Sequence, residues 1–450
     1  MDASAASSSR HDSKTLRGTF QLMTWTFSLN HATMTTLMMY ASSALGRVNG
    51  NLSNALLFSV SLATSLGLAP VIVNTFGQKR GLLLGLVGCT TYVLFFVLAV
   101  FLSTWRHRGI GGCQSNSEAM LAFVGAGFGG LGAGLLWPSQ GAFFSTVVQE
   151  LQRAEPATGT REEALYHLTS ELSSSFAFGL LAAECGIKLM MAVLLTYVKV
   201  ELWSSWVFLS ALVLAVLAMA AFTKSQKIHS QHAVRPVCES TWDALRLWGD
   251  PKIWLLSMTN LSFGFSVAWV NGYVNLRWHE ATGDLHLLGF AGALTTGVAG
   301  VVSKLSVRPL ACGKGVMLAL GSFCFLSIGL VSKLSEPNSK LGWSIWLLLL
   351  HVLHGVGRGV YEGTGKAVFG DFFPGDKCVG AFANVLVQVS ASSIIGYILA
   401  STGWKDATYS LLVVSAALML PFYLLAGRLE CLRSGFDDSG KDLERAPSDR

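Results

Sequence analysis

The sequence predicts an all-α, polytopic membrane protein whose 12 transmembrane helices form two pseudo-symmetric six-helix bundles. Composition is the first reason: of 450 residues, 52% are apolar and only 13% are charged, whereas about a quarter of the residues in a soluble domain carry charge. Lipid is therefore the solvent, and hydrocarbon requires every backbone amide and carbonyl to be paired internally, so apolar runs of about twenty residues must be helices. The runs are too long and too little alternating for barrel strands. The second reason is an internal echo. Gly130-Leu131-Gly132-Ala133-Gly134 recurs 225 positions later as Gly355-Val356-Gly357-Arg358-Gly359, and Gly77-Gln78-Lys79-Arg80 is matched 236 positions on by Gly313-Lys314. The third is charge placement. With both termini in the cytoplasm, cytoplasmic segments hold 22 Lys and Arg, the opposite side 8, and two, Lys188 and Arg358, lie deep within spans, as the resistance of basic residues to translocation requires.

The spans fall near 18–42, 53–76, 81–104, 120–147, 170–198, 203–222, 253–275, 286–303, 315–334, 342–369, 380–402 and 406–427. The first is polar and the eighth short, so a count of ten is the alternative. Residues 1–17 read as a disordered cytoplasmic tail, 18–222 as the first bundle, 223–252 as a cytoplasmic linker, 253–427 as the second bundle and 428–450 as a charged cytoplasmic tail. Inside the linker, Trp242, Leu245 and Trp248 recur at helical spacing, the pattern of a short helix at the membrane surface. Asn51-Leu52-Ser53 is a glycosylation sequon on the outer side, but it abuts the second span, out of reach of the transferase. Only Cys113 sits on the oxidising side, so no structural disulfide is expected. The net charge of +6 is then a topology signal, not a nucleic-acid footprint, and the partner it implies is the lipid bilayer, of the plasma membrane or an endomembrane.

A charge inside the bilayer costs several kcal/mol, so each one asks for a partner. Glu184 and Lys188 are four apart on the fifth span and read as a structural ion pair; Arg358 and Glu362 are four apart on the tenth and read as a second pair. His351, His354, Arg358, Tyr361 and Glu362 share an arc of about 100° on a regular helix, a stripe that must face water or polar partners. Thr24, Ser28 and His31 line one side of the first span, and Asn260 makes the seventh polar. Gly125 with Gly129, and Gly130 with Gly134, are small-xxx-small pairs for close backbone approach. No metal-spaced His and Cys cluster, nucleotide loop or catalytic motif occurs. Neither an enzyme nor a cofactor is expected.

Several motifs add a resemblance. Ser28-Leu29-Asn30, Leu68-Ala69-Pro70 running to Gly77-Gln78-Lys79-Arg80, Leu136-Trp137-Pro138-Ser139-Gln140-Gly141, Gly357-Arg358-Gly359 to Pro374, and Gly380-Ala381-Phe382-Ala383-Asn384 resemble the major facilitator superfamily, and within it the uncoordinated-93-like branch. The resemblance implies the major facilitator fold, with the first, fourth, seventh and tenth spans lining a central cavity. It also implies a gating turn at Gly77, Lys79 and Arg80, although the acidic residue usual there is missing. The cavity candidates are Thr24, Ser28, His31, Trp137, Gln140, Asn260, His351, His354, Arg358, Tyr361 and Glu362. The expected function is alternating-access transport of an unidentified small molecule or ion. The alternative is an accessory or escort protein with a client membrane protein, a channel or receptor.

Overall fold

A computed structural model describes residues 3–107, 116–154, 161–198, 206–223, 242, 244–307, 313–334, 345–373 and 377–444. Nearly all of them are helical, and every expected span coincides with a helix. In chain order these are α1 (Ala3–Ala44), α2 (Arg47–Phe76), α3 (Gln78–His107), α4 (Ser117–Ala154), α5 (Arg161–Val193, continued by a π turn Leu194–Val198), α6 (Trp206–Phe222), α7 (Pro251–Thr282) and α8 (His286–Val307). They continue as α9 (Gly313–Leu334), α10 (Ile345–Val360, a π turn Tyr361–Gly365, then Lys366–Phe372), α11 (Lys377–Thr402) and α12 (Lys405–Glu444). Among the described residues nine helices are long and apolar enough to cross a membrane: α2, α3, α4, α5, α7, α8, α9, α11 and α12. The apolar stretch of α6, Phe208–Phe222, is shorter.

At the ends, α1 includes residues 3–17, read from composition as a disordered tail, and α12 continues past Arg428 to Glu444 into the charged tail. Once a membrane span has supplied the nucleus, each further residue adds a hydrogen bond, so polar flanks without proline extend the helix. In the linker, the described part of the surface segment is helical at Ala244–Arg246 and turns through Leu247–Gly249. Trp248 donates its indole N–H to Asn384 Oδ1 at 2.6 Å while Trp242 and Leu245 stay exposed.

Glycine sets how closely the helices approach. A Cβ on Gly130 would lie 2.6 Å from the Leu57 carbonyl oxygen on α2, and one on Gly134 2.6 Å from that of Ser61. On α10, Gly355 and Gly359 stand in the same relation to α8, 2.6 Å from the Thr295 carbonyl oxygen and 2.8 Å from that of Ala299. Between them Gly132 turns to α3, 2.5 Å from Cys89 N, and Gly357 turns to Phe325 on α9 at 2.5 Å. The sequence echo is thus an echo of packing: α4 sits on α2 and α3 as α10 sits on α8 and α9. The turns repeat it too. Gly77 (φ 85°) and Gly313 (φ 73°) both hold left-handed conformations that a side chain would strain. Gln78 Nε2 then donates to Thr146 Oγ1 at 2.6 Å, and the matching Lys314 pairs with Asp371.

Contacts between the repeats differ from one end of the helices to the other. At the end remote from the chain termini, the π turn of α7 (Val270–Val274) frees carbonyls that the first repeat takes up. Ser42 Oγ donates to the Asn271 carbonyl at 2.7 Å, and Asn51 Nδ2 to the Gly272 carbonyl at 3.2 Å. Phe58 stacks on Tyr397 nearby, where α2 packs along α11, while α5 packs along α8. At the end nearer the termini, the ties of Gln78 to Thr146, Lys79 to the Ala220 carbonyl, Lys252 to Glu430 and Lys314 to Asp371 each stay within one repeat. Because Asn51 is wholly buried and bonded to both Arg47 and Gly272 carbonyls, we expect no glycan there. A glycosidase-sensitive mass shift on the wild-type protein, lost on Asn51→Gln, would contradict this.

Candidate functional site

Three charged side chains meet midway along the helices. Arg358 on α10 donates from Nη1 to Glu184 Oε1 at 2.8 Å and from Nη2 to Glu184 Oε2 at 2.7 Å, a bidentate pair across the two repeats. Lys188, one turn beyond Glu184 on α5, donates to the same carboxylate at 2.7 Å. The side chains are 13%, 1% and 7% exposed for Arg358, Glu184 and Lys188, so water does little to screen them and the forked geometry carries weight. Gly292 on α8 makes room beside this cluster, since a Cβ there would lie 3.2 Å from Lys188 Cδ and 2.4 Å from Met39 Sδ.

The expected pairing of Arg358 with Glu362 is therefore corrected. Glu362 instead takes Lys366, at 2.5 Å. The cause is local: the π turn Tyr361–Gly365 begins between Arg358 and Glu362, and its wider winding turns Glu362 away from the face that four-residue spacing assigns it. Glu184 and Lys188 do pair as expected, but as two members of a triad whose third member comes from the other repeat.

The remaining candidates divide into those near the triad and those engaged elsewhere. His31 lies within electrostatic reach of Glu184, Arg358, Glu362 and Lys188, and its ring meets Trp137 edge-on at 5.3 Å. Phe27 and Phe176 close an aromatic wall around Trp137, with Phe27 at 4.9 Å and Phe176 at 6.3 Å. Thr24 and Ser28 are fully buried where α1 meets Gly179 of α5, their hydroxyls and His31 Nδ1 without hydrogen-bond partners among the described residues. Tyr361 is buried and stacked on Phe263 at 4.1 Å, and His354 is buried on α10 one turn from Arg358. By contrast, Asn260 donates to Gln388 at 2.7 Å, and His351 sits between Thr295 at 2.9 Å and Asn275 at 3.1 Å. Those two knit α7, α8, α10 and α11 together, His351 also lying within electrostatic reach of Lys188. Gln140, half-buried on α4, forms no hydrogen bond with any of them. In the turn, Arg80 is exposed and Lys79 bonds the end of α6. Reasoning from sequence missed Phe27, Phe176 and Gly292, which carry no polar signal; only the crowding of aromatic residues and glycine near span centres could have pointed to them.

Helices arranged in this way recur in known structures. A proton-dependent oligopeptide transporter, solved for its substrate recognition, superposes with a TM-score of 0.59 at 11% identity, over 93% of this chain and 100% of its own. A bacterial homologue of the human drug peptide transporters PepT1 and PepT2, solved for its selectivity mechanism, gives 0.60 at 12% identity, over 94% of this chain and 99% of its own. The chain has the fold of these transporters. No protein-family model and no curated protein sequence matches the chain.

Proposed function

We propose that this protein is a membrane transporter moving a small solute by alternating access between two six-helix bundles, with 12 spans and both termini in the cytoplasm. The observation that carries the reading is the bidentate Arg358–Glu184 pair, because it joins α5 of one repeat to α10 of the other at the level where a solute would sit. A static bundle gains little from such a device, since a buried ion pair is commonly no more stabilising than well-packed apolar side chains. Between two bundles that rock, it is a contact that can be made and broken. The arrangement, tied through Ser42 and Asn51 at the remote end, corresponds in this reading to the state open toward the cytoplasm. Membership of the uncoordinated-93-like branch remains part of the proposal, resting on the motifs from Ser28 to Asn384. The cavity of the proposed carrier is the space bordered by His31, Trp137, Glu184, Arg358 and Glu362.

The experiment is flux into liposomes holding the purified protein, with solutes chosen from metabolites that change when cells gain or lose it. We expect a solute whose flux is abolished by Arg358→Gln while the variant still elutes as a folded monodisperse species. A panel in which no solute moves, or flux indifferent to Arg358→Gln, would count against the reading.

A further inference from the structure

The charges at the centre do not balance. Glu184 is one carboxylate between two cations, Arg358 and Lys188, and the next carboxylate, Glu362, is taken by Lys366. Two cations in so buried a place need a carboxylate against them at all times, whether the chain or a ligand supplies it. Arg358 is also unsaturated: its Nη atoms are used by Glu184, but its Nε is buried without a hydrogen-bond partner among the described residues, as is Nδ1 of the neighbouring His31. On the far side of His31, whose ring meets Trp137 edge-on, stands the wall of Phe27, Trp137 and Phe176, which offers an apolar or ring-shaped body a surface and no further charge.

Resting on the carrier reading above, we propose that the solute is a small monocarboxylate with an aromatic or similarly apolar body, that it binds Arg358 and Lys188 by displacing the Glu184 carboxylate, and that Glu184 takes up one proton as it is displaced. The charge count supports the second half. Before binding the triad sums to +1, from two cations and one carboxylate; with a carboxylate bound and Glu184 protonated it again sums to +1. Anion and proton therefore enter together without changing the charge of the buried site, and the forked guanidinium exchanges one carboxylate for another of the same geometry. The other titratable or charged groups facing Glu184 are His31 on α1, Cys185 on α5, and His354 and Glu362 on α10. None of these is bonded to Arg358 or Lys188 among the described contacts.

The test uses the purified full chain and a charge series on one skeleton: phenylacetate, neutral phenylacetamide and cationic phenethylamine, with binding read from thermal unfolding. We expect phenylacetate alone to stabilise the wild type, with an affinity rising up to about tenfold per unit of falling pH, as uptake of one proton requires. Glu184→Gln removes both the competitor and the proton acceptor, so phenylacetate should bind at least about tenfold tighter near neutral pH, with no pH dependence. A gain of affinity cannot come from misfolding. Should two unpaired cations prevent folding of that variant, Glu184→Gln with Lys188→Met keeps the net +1 and should bind phenylacetate independently of pH. The proposal is overturned by preference for phenethylamine or phenylacetamide, by weaker phenylacetate binding to the Glu184 variants, by pH dependence that survives in them, or by no phenylacetate binding at all. Binding without flux in liposomes would uphold the site and remove the carrier reading. Flux of another solute without phenylacetate binding would do the reverse.

Discussion

Glu184→Gln should destabilise the purified protein more than any other single change at its centre, by about 3–5 kcal/mol, the usual cost of leaving a buried charge without its partner. The reason is that Glu184 alone serves two cations, Arg358 and Lys188. Arg358→Gln should be milder, because Lys188 remains beside the carboxylate on the same helix at 2.7 Å. Lys188→Met should be mildest, because the bidentate pair with Arg358 survives and the methionine fills much of the lysine's volume. Thermal unfolding of the three variants in one detergent checks the order. If Lys188→Met proved as damaging as Glu184→Gln, the triad would not be arranged as described.

Gly132→Leu on α4 should abolish folding, whereas Gly127→Ala on the same helix should be neutral or stabilising. A Cβ at position 132 would lie 2.5 Å from Cys89 N and 2.8 Å from the Gly85 carbonyl oxygen, both backbone atoms of α3 that cannot move aside singly. The facing Gly88 repeats the constraint, with its own Cβ position 2.7 Å from Gly132 Cα. Gly127 meets nothing within 4 Å, so alanine there adds only helix propensity, worth about 0.5–1 kcal/mol. Monodispersity of the expressed protein on size-exclusion chromatography separates these outcomes. A well-folded Gly132→Leu protein would mean that α3 and α4 stand farther apart.

Much of the architecture could be read from the residues, for a physical reason. Span positions follow from hydropathy because lipid forbids unpaired backbone, and α3 at Gln78–His107 and α9 at Gly313–Leu334 lie close to where the apolar runs place them. The glycine echo carried over as well, since only glycine tolerates carbonyl contacts such as Gly130 with Leu57 and Gly355 with Thr295. The site was less legible. Four-residue spacing identifies partners on one regular helix, which served for Glu184 with Lys188; it cannot see a neighbour 174 positions away, and it fails where a π turn interrupts the winding, as at Tyr361. Polar character alone likewise could not tell His31, beside the triad, from Asn260, which spends its amide on Gln388. The helix of α1 from Ala3 and of α12 to Glu444 reaches beyond the apolar runs, because composition reports on burial and a helix can extend without any.

The central claim is that the charged cluster borders the solute's path between the two repeats. Glu362, a quarter exposed by its side chain and bonded to the outermost cation of the group, Lys366, is the position to probe. In a background freed of other reactive cysteines, Glu362→Cys should react with a membrane-impermeant thiosulfonate reagent, and an exposed apolar residue on the same repeat, Leu294→Cys, should not. Reaction at 362 that slows when transported solute is present is the predicted result. A cysteine at 362 that stays inert from both sides of the membrane would contradict the account.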